Sequence, residues 1–176
     1  MDAELKRLLK ECGALLYGDF TLASGKKSTY YIDIKKASTD PKVLAQIADS
    51  MAREMTTWDS KPDRIAGVVL GSIPLAVALS LRTGIPFVMV RKEKKEHGTS
   101  KQIEGVLKQG ERVLVVEDVV TSAGSSAEAV GTLRSAGAVV EEVLAVIDRQ
   151  EGGKDRLAQM NVRLVPLLTT EDVLRG

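Results

Sequence analysis

Cysteine is nearly absent: Cys12 is the single one among 176 residues. It has no internal partner, which removes a disulfide scaffold and makes the reducing cytoplasm the expected compartment. Cys12 falls in an amphipathic helical pattern, where a packed thiol is expected rather than a nucleophile. Aromatics number two Phe, three Tyr and one Trp, too few to build a stacking surface for single-stranded nucleic acid. A formal charge of +1 gives no field for sequence-independent DNA binding, so any basic function must be local. No run approaches the roughly twenty apolar residues that cross a bilayer, and the charged start from Met1 to Lys10 does not look like a signal peptide. Neither nucleic acid nor membrane is an expected partner. A GxxxxGK[ST] loop is also missing, which argues against an ordinary nucleotide kinase.

What is present reads as one main domain of ordinary globular composition. Apolar residues recur at helical spacing from Ala3 to Leu16, predicting a helix that closes near Gly18. Phe20 to Leu22 and Ser28 to Ile34 follow as short strands around the turn Ser24-Gly25-Lys26-Lys27. Asp40-Pro41 opens a second helix to about Met55, with an N-cap followed by proline at the first helical position. From Arg64 the pattern changes to short apolar runs alternating with helices, the mark of a parallel sheet buried on both faces. Strands are predicted at Ile65–Leu70, Phe87–Val90, Arg112–Glu117, Val139–Ile147 and Val162–Leu167. Helices are predicted at Ile73–Thr83, Ser125–Ala136 and Gly153–Met160, with a last turn at Glu171–Leu174. The fold class is therefore α/β, a central and mostly parallel sheet flanked by helices. The polar connection from Arg91 to Gly110 is longer than a compact domain needs, which points to a working loop.

The chemistry concentrates after Val113-Leu114-Val115-Val116. This apolar strand ends on two acids, Glu117 and Asp118, followed by Val119, Val120 and the small loop Thr121-Ser122-Ala123-Gly124-Ser125-Ser126. Ligands of open parallel sheets bind beyond the carboxyl ends of strands, so the acids face the expected crevice. The loop leads into a helix whose first N–H groups and dipole favour an anion. Thr121, Ser122, Ser125 and Ser126 are candidate hydroxyl donors. Acceptors for a sugar diol beside donors for a phosphate monoester make a ribose 5-phosphate pocket. Downstream of a strand, Arg91-Lys92-Glu93-Lys94-Lys95-Glu96-His97-Gly98 concentrates positive charge able to stabilise a departing anion.

Val113 to Ser126 resembles the phosphoribosyl diphosphate (PRPP) signature of the type I phosphoribosyltransferases, and the basic run is similar to the catalytic loop of their orotate branch. Three further stretches fit that branch: Phe20 to Asp33 its N-terminal hood, Gly71-Ser72-Ile73-Pro74-Leu75 its pyrophosphate loop, and Asp148-Arg149-Gln150-Glu151-Gly152 its base-binding turn. The resemblance spans nearly the whole chain. It implies one phosphoribosyltransferase domain over residues 1–176, with residues 1–36 as the hood. The implied activity is that of an orotate phosphoribosyltransferase, making orotidine 5′-phosphate and pyrophosphate from PRPP and orotate in de novo pyrimidine (UMP) synthesis. Alternatives are transfer to another base, or a PRPP-sensing regulator on the same fold.

The resemblance further implies residue roles. Lys95, His97 and Asp118 are catalytic; PRPP is held by Arg91, Lys92, Lys95, His97, Glu117, Asp118, Val119, Val120, Thr121, Ser122, Ala123, Gly124 and Ser125. Gly71 and Ser72 form the pyrophosphate loop. Thr121, Arg149, Tyr30 and Tyr31 contact orotate, Arg149 because a planar guanidinium meets a carboxylate with two parallel hydrogen bonds. Adjacent strand residues point to opposite faces, so one of the two tyrosines must turn away. Mg2+ is the implied cofactor, carried by PRPP rather than by direct protein ligands, and a homodimer with shared sites is implied because the branch's loop reaches its neighbour. Three departures appear. Ala23 and Gly71 stand where some orotate enzymes have lysine, so positive charge must come from elsewhere, with Lys26 or Lys27 and the backbone N–H groups around Gly71 as candidates. Ala123 stands where many members have glycine, and Gly124 is expected to take the strained turn conformation.

Overall fold

The computed structural model describes residues 2–21, 27–91 and 102–174. Helix α1 (Ala3–Glu11) is capped by the Asp2 carboxylate, which accepts from the Leu5 N–H, and buries Leu5, Leu8 and Leu9. It ends earlier than its apolar spacing predicts. Gly13 takes a left-handed φ of 71° that stops the helix, and Leu15 and Leu16 enter strand β1 (Leu15–Thr21) opposite Ile32 and Tyr31 of β2 (Lys27–Ile32). Two consecutive leucines fit either period, and pairing with β2 decides between them. A short helix α2 (Ile34–Ser38), not foreseen from the pattern, follows with Asp33 as its cap. Helix α3 (Pro41–Met55) starts as predicted, with the Asp40 carboxylate accepting from the Lys42 and Val43 amides.

The remaining elements are β3 (Arg64–Val68), α4 (Ile73–Thr83), β4 (Phe87–Val90), β5 (Ile103–Glu104), β6 (Val113–Val120), α5 (Gly124–Ser135), β7 (Glu142–Asp148), α6 (Gly153–Ala158), β8 (Arg163–Thr169) and α7 (Thr170–Leu174). Among the described residues they form a six-stranded sheet ordered β5-β4-β3-β6-β7-β8, parallel except for β5. Successive strand residues feed opposite layers. Ile65 and Leu114 pack with Leu5, Ile47, Met51 and Leu79 on one face, while Ala66 and Val115 pack with Val130, Leu133 and Leu157 on the other. Burial on both faces is why the strands read as unbroken apolar runs.

The chain steps from β3 out to β4, returns past β3 to β6, and continues to β8. Strand order therefore reverses between β3 and β6, where a crevice opens at the carboxyl ends. At the opposite end Arg64 clamps the two strands by donating to both Glu111 oxygens at 2.7 and 2.6 Å, and this bonding lowers the Glu111 carboxyl to about 2. Several boundaries differ from the sequence reading, with β3 ending at Val68 rather than Leu70, α6 at Ala158 rather than Met160 and β8 at Thr169 rather than Leu167. β6 runs on through the acids to Val120, β7 begins at Glu142 with Val139 making only an isolated bridge to Arg112, and the connection after β4 contains the antiparallel edge strand β5.

Candidate active site

The crevice between β3 and β6 is an open cleft of about 510 Å³ lined by residues 68–72, 117–121 and 123–126, together with Lys35. Because β6 continues through the acids, neighbouring side chains diverge, and Glu117 and Asp118 acquire different surroundings. Glu117 is 5% exposed and accepts hydrogen bonds from Ser72 Oγ at 2.8 Å and Ser126 Oγ at 2.9 Å. It thereby ties the β3–α4 turn to the start of α5 across the reversal point. Ser126, a candidate phosphate donor by sequence, gives its hydroxyl proton to Glu117 instead. Asp118 accepts from the Val119 amide at 2.8 Å, and Lys35 Nζ lies 3.6 Å from its Oδ2.

The loop after β6 turns at Ala123, not Gly124. Ala123 holds φ 56° and ψ 28° while Gly124 opens α5. A helix's first residue must already be helical, so the reversal falls on the residue before it, even though a Cβ there costs about 1–2 kcal/mol. Among the described residues no side chain caps α5, and its first amides border the cleft with Thr121, Gly124 and Ser125, a ready anion site. Gly153, which the sequence reading did not single out, supports this loop: a Cβ there would lie 2.5 Å from the Thr121 carbonyl oxygen and 2.6 Å from Val120 Cγ1. Gly153→Ala is expected to push the loop outward, destabilising the fold by about 1–3 kcal/mol and weakening phosphate binding severalfold. Thermal melting and titration with ribose 5-phosphate check both effects, and an unchanged affinity would remove the supporting role.

On the far side of β7, Asp148 Oδ1 accepts from the Gln150 amide, and the Arg149 amide donates to the Val120 carbonyl, fixing the turn beside the anion loop. The Arg149 guanidinium lies 5.5 Å from the Tyr30 ring centroid and 3.0 Å from Glu151 Oε1, while its buried Nε has no hydrogen-bond partner among the described residues. Such a donor can be satisfied by a ligand acceptor or by a bound water. Tyr30 also lies 3.4 Å, hydroxyl to hydroxyl, from Thr170. Tyr31 points to the other face of β2 and packs against Phe20 at 5.7 Å, so the pair is brought to Arg149 only through Tyr30.

Gly71 and Ser72 line the cleft. A Cβ at Gly71 would overlap Asp118 Oδ2, so any larger residue there displaces the acid. Arg91 pairs with Glu104 at 3.2 Å and lines a smaller neighbouring hollow shared with Ser125. Ser122 is solvent-exposed at the loop tip. Lys27 donates to Thr21 Oγ1 within the hairpin. Lys92, Lys95, His97, Ala23 and Lys26 lie outside the described residues. The sequence reading missed Lys35 in the cleft; its signal was the basic pair Lys35-Lys36 after the Asp33 cap.

A cleft of this form has counterparts among known proteins. The family model for the phosphoribosyl transferase domain matches residues 35–165. A curated relative, the orotate phosphoribosyltransferase of Methanosarcina acetivorans, is 50% identical over 98% of this chain and 91% of its own length. This chain belongs to the phosphoribosyltransferase family, in its orotate branch. The crystal structure of orotate phosphoribosyltransferase from Aeropyrum pernix superposes with a TM-score of 0.86 at 40% identity, covering 97% of this chain and 96% of that one. The Mycobacterium tuberculosis orotate phosphoribosyltransferase, solved in complex with PRPP, matches with a TM-score of 0.80 at 32% identity over 97% of each chain. As in the family's signature, the phosphoribosyltransferase cleft of this chain sets its acids and its small loop on one strand, loop and helix.

Proposed function

We propose that the chain transfers the 5-phosphoribosyl group of PRPP to N1 of orotate, releasing pyrophosphate and forming orotidine 5′-phosphate for de novo pyrimidine (UMP) synthesis. The observation that carries this reading is the pairing of an uncapped α5 N-terminus with Asp118 at the mouth of the sheet, close to a guanidinium whose buried Nε has no partner among the described residues. In this reading Thr121, Ser122, Ala123, Gly124 and Ser125 cradle the 5-phosphate, and Asp118 orients the ribose hydroxyls with Val119 and Val120 as backbone wall. Glu117 braces the cradle from beneath. Arg149 and Tyr30 hold the pyrimidine, Tyr31 shapes the hood formed by residues 1–36, and the whole of 1–176 acts as one domain.

The C1–oxygen bond to the diphosphate breaks with its electron pair leaving on oxygen, and N1 of orotate bonds to C1 while the N1 proton passes to the released pyrophosphate or to solvent. The carbon passes through an oxocarbenium-like state, so catalysis is mostly positioning and charge stabilisation. Arg91, Lys92, Lys95 and His97 are assigned to the diphosphate, and Gly71 and Ser72 to the turn beside it. The donor set suits Mg2+ held on substrate oxygens rather than by a protein cage: Glu117 already accepts two hydroxyls and Asp118 is assigned to the ribose, too few carboxylates to hold the ion without phosphate oxygens. Bound with PRPP, Mg2+ would supply positive charge to the departing diphosphate.

Orotate absorbance followed with purified protein, PRPP and Mg2+ tests the reading. Consumption of orotate supports it. Turnover of uracil or a purine instead would make this a transferase for another base, and PRPP binding without turnover of any base would make it a sensor. We further propose a cytoplasmic homodimer. No helix among the described residues is long and apolar enough to cross a membrane. Leu81, near the end of α4, is 83% exposed, an apolar side chain that a second copy would cover. Sedimentation velocity should give a dimer, and Leu81→Glu should shift it toward monomer; a wild-type monomer would overturn the assignment.

A further inference from the structure

Both substrates of the proposed reaction are anions, yet the described part of the cleft is poor in positive charge. A phosphate monoester alone brings roughly −1.5 to −2, and the lining already holds the carboxylates of Glu117 and Asp118. Among the described residues lining the cleft, Lys35 is the single basic side chain. It reaches in from α2, which neither strand of the crevice supplies, and its side chain remains 66% exposed with the ammonium 3.6 Å from Asp118 Oδ2. That separation is an ion pair without close hydrogen-bond geometry, and a pair this open to water is worth little and exchanges readily.

The walls of the cleft decide where a diphosphate would lie. With the 5-phosphate at the α5 N-terminus and the ribose hydroxyls at Asp118, the remaining wall is the β3–α4 turn from Leu70 to Ser72. That turn brings no cation of its own at Gly71, where a Cβ would displace the Asp118 carboxylate. Two of its amides are also engaged, Ser72 N–H with the Val68 carbonyl and Ile73 N–H with the Leu70 carbonyl. Among the described residues lining the cleft, the charge for this wall comes from α2, beside the Arg91, Lys92, Lys95 and His97 assigned to the diphosphate above.

We propose that Lys35 binds the diphosphate of PRPP, resting against Asp118 in the free enzyme and moving to the diphosphate when substrate enters, which frees Asp118 for the ribose hydroxyls. The assignment rests on reading the cleft as a PRPP site. Lys35 is then a substrate-binding residue with a second effect, since its departure changes the charge environment of the acid that holds the sugar.

Calorimetric titration of the full chain with magnesium pyrophosphate, PRPP and ribose 5-phosphate separates these roles. Lys35→Met, which keeps the length of the stem, should weaken pyrophosphate and PRPP about tenfold, as removal of one partly exposed charge-assisted contact would. Ribose 5-phosphate affinity should hold within about twofold, and Lys35→Arg should recover pyrophosphate binding to within about threefold. In turnover, the KM for PRPP should rise while the KM for orotate stays put. Unchanged pyrophosphate affinity in Lys35→Met would overturn the proposal, as would an equal loss for ribose 5-phosphate, which would mark Lys35 as a prop for Asp118. Failure of the wild type to consume orotate would sink the orotate reading alone, because the pyrophosphate titration still decides Lys35.

Discussion

Arg149→Ala is expected to lower kcat/KM for orotate by about a thousandfold while changing PRPP affinity by less than about threefold. The guanidinium is set by the turn at Asp148, covered by the Tyr30 ring and held from one side by Glu151, yet its Nε remains buried and unpaired. An orotate carboxylate meeting Nε and one terminal nitrogen supplies two charge-assisted hydrogen bonds, each worth about 1.5–3 kcal/mol. Their joint loss gives the expected factor. Arg149→Lys should recover little, since an ammonium cannot present two parallel donors to a carboxylate. Uracil lacks the carboxylate, so any residual turnover of uracil should be nearly the same in wild type and variant. Steady-state kinetics with both bases measures this directly. An Arg149→Ala enzyme that loses PRPP affinity as strongly as orotate turnover would place the residue elsewhere in the mechanism.

The second large effect separates two neighbours. Glu117→Ala should act on the fold and Asp118→Ala on the reaction. Removing Glu117 strands the hydroxyls of Ser72 and Ser126, both almost completely buried, and unsatisfied groups of that kind cost about 1–3 kcal/mol each. A total near 3 kcal/mol corresponds to a fall in Tm of roughly 6–12 °C, visible by calorimetry. Asp118 faces the cleft beside an exposed lysine, and its removal should leave Tm within about 2 °C while reducing kcat/KM for PRPP about a hundredfold. That loss is what one charge-assisted contact to a sugar hydroxyl supplies. If the two variants changed places, with Asp118→Ala melting early and Glu117→Ala merely slow, the division of labour drawn from their surroundings would be wrong.

Much of the site was legible in the chain because its parts are consecutive. The apolar run of β6, the acids that follow, the small loop and the opening of α5 lie within Val113 to Gly124, and local rules of strand, turn and helix start suffice to assemble them. The same holds for α3, whose Asp40-Pro41 start is a property of adjacent residues. Tertiary structure decided everything that depends on partners distant in sequence. It divided Glu117 from Asp118 by surrounding one with Ser72 and Ser126, moved the strained turn to Ala123 against Gly153, and chose Tyr30 over Tyr31 as the neighbour of Arg149. It also brought Lys35 across from α2 and converted Leu15 and Leu16 from helix to strand by pairing them with β2. A side chain's type and period are written locally. Its direction, burial and charge partner arise only when segments far apart in the chain pack together, and those three properties determine what an acid, a lysine or an arginine can do chemically.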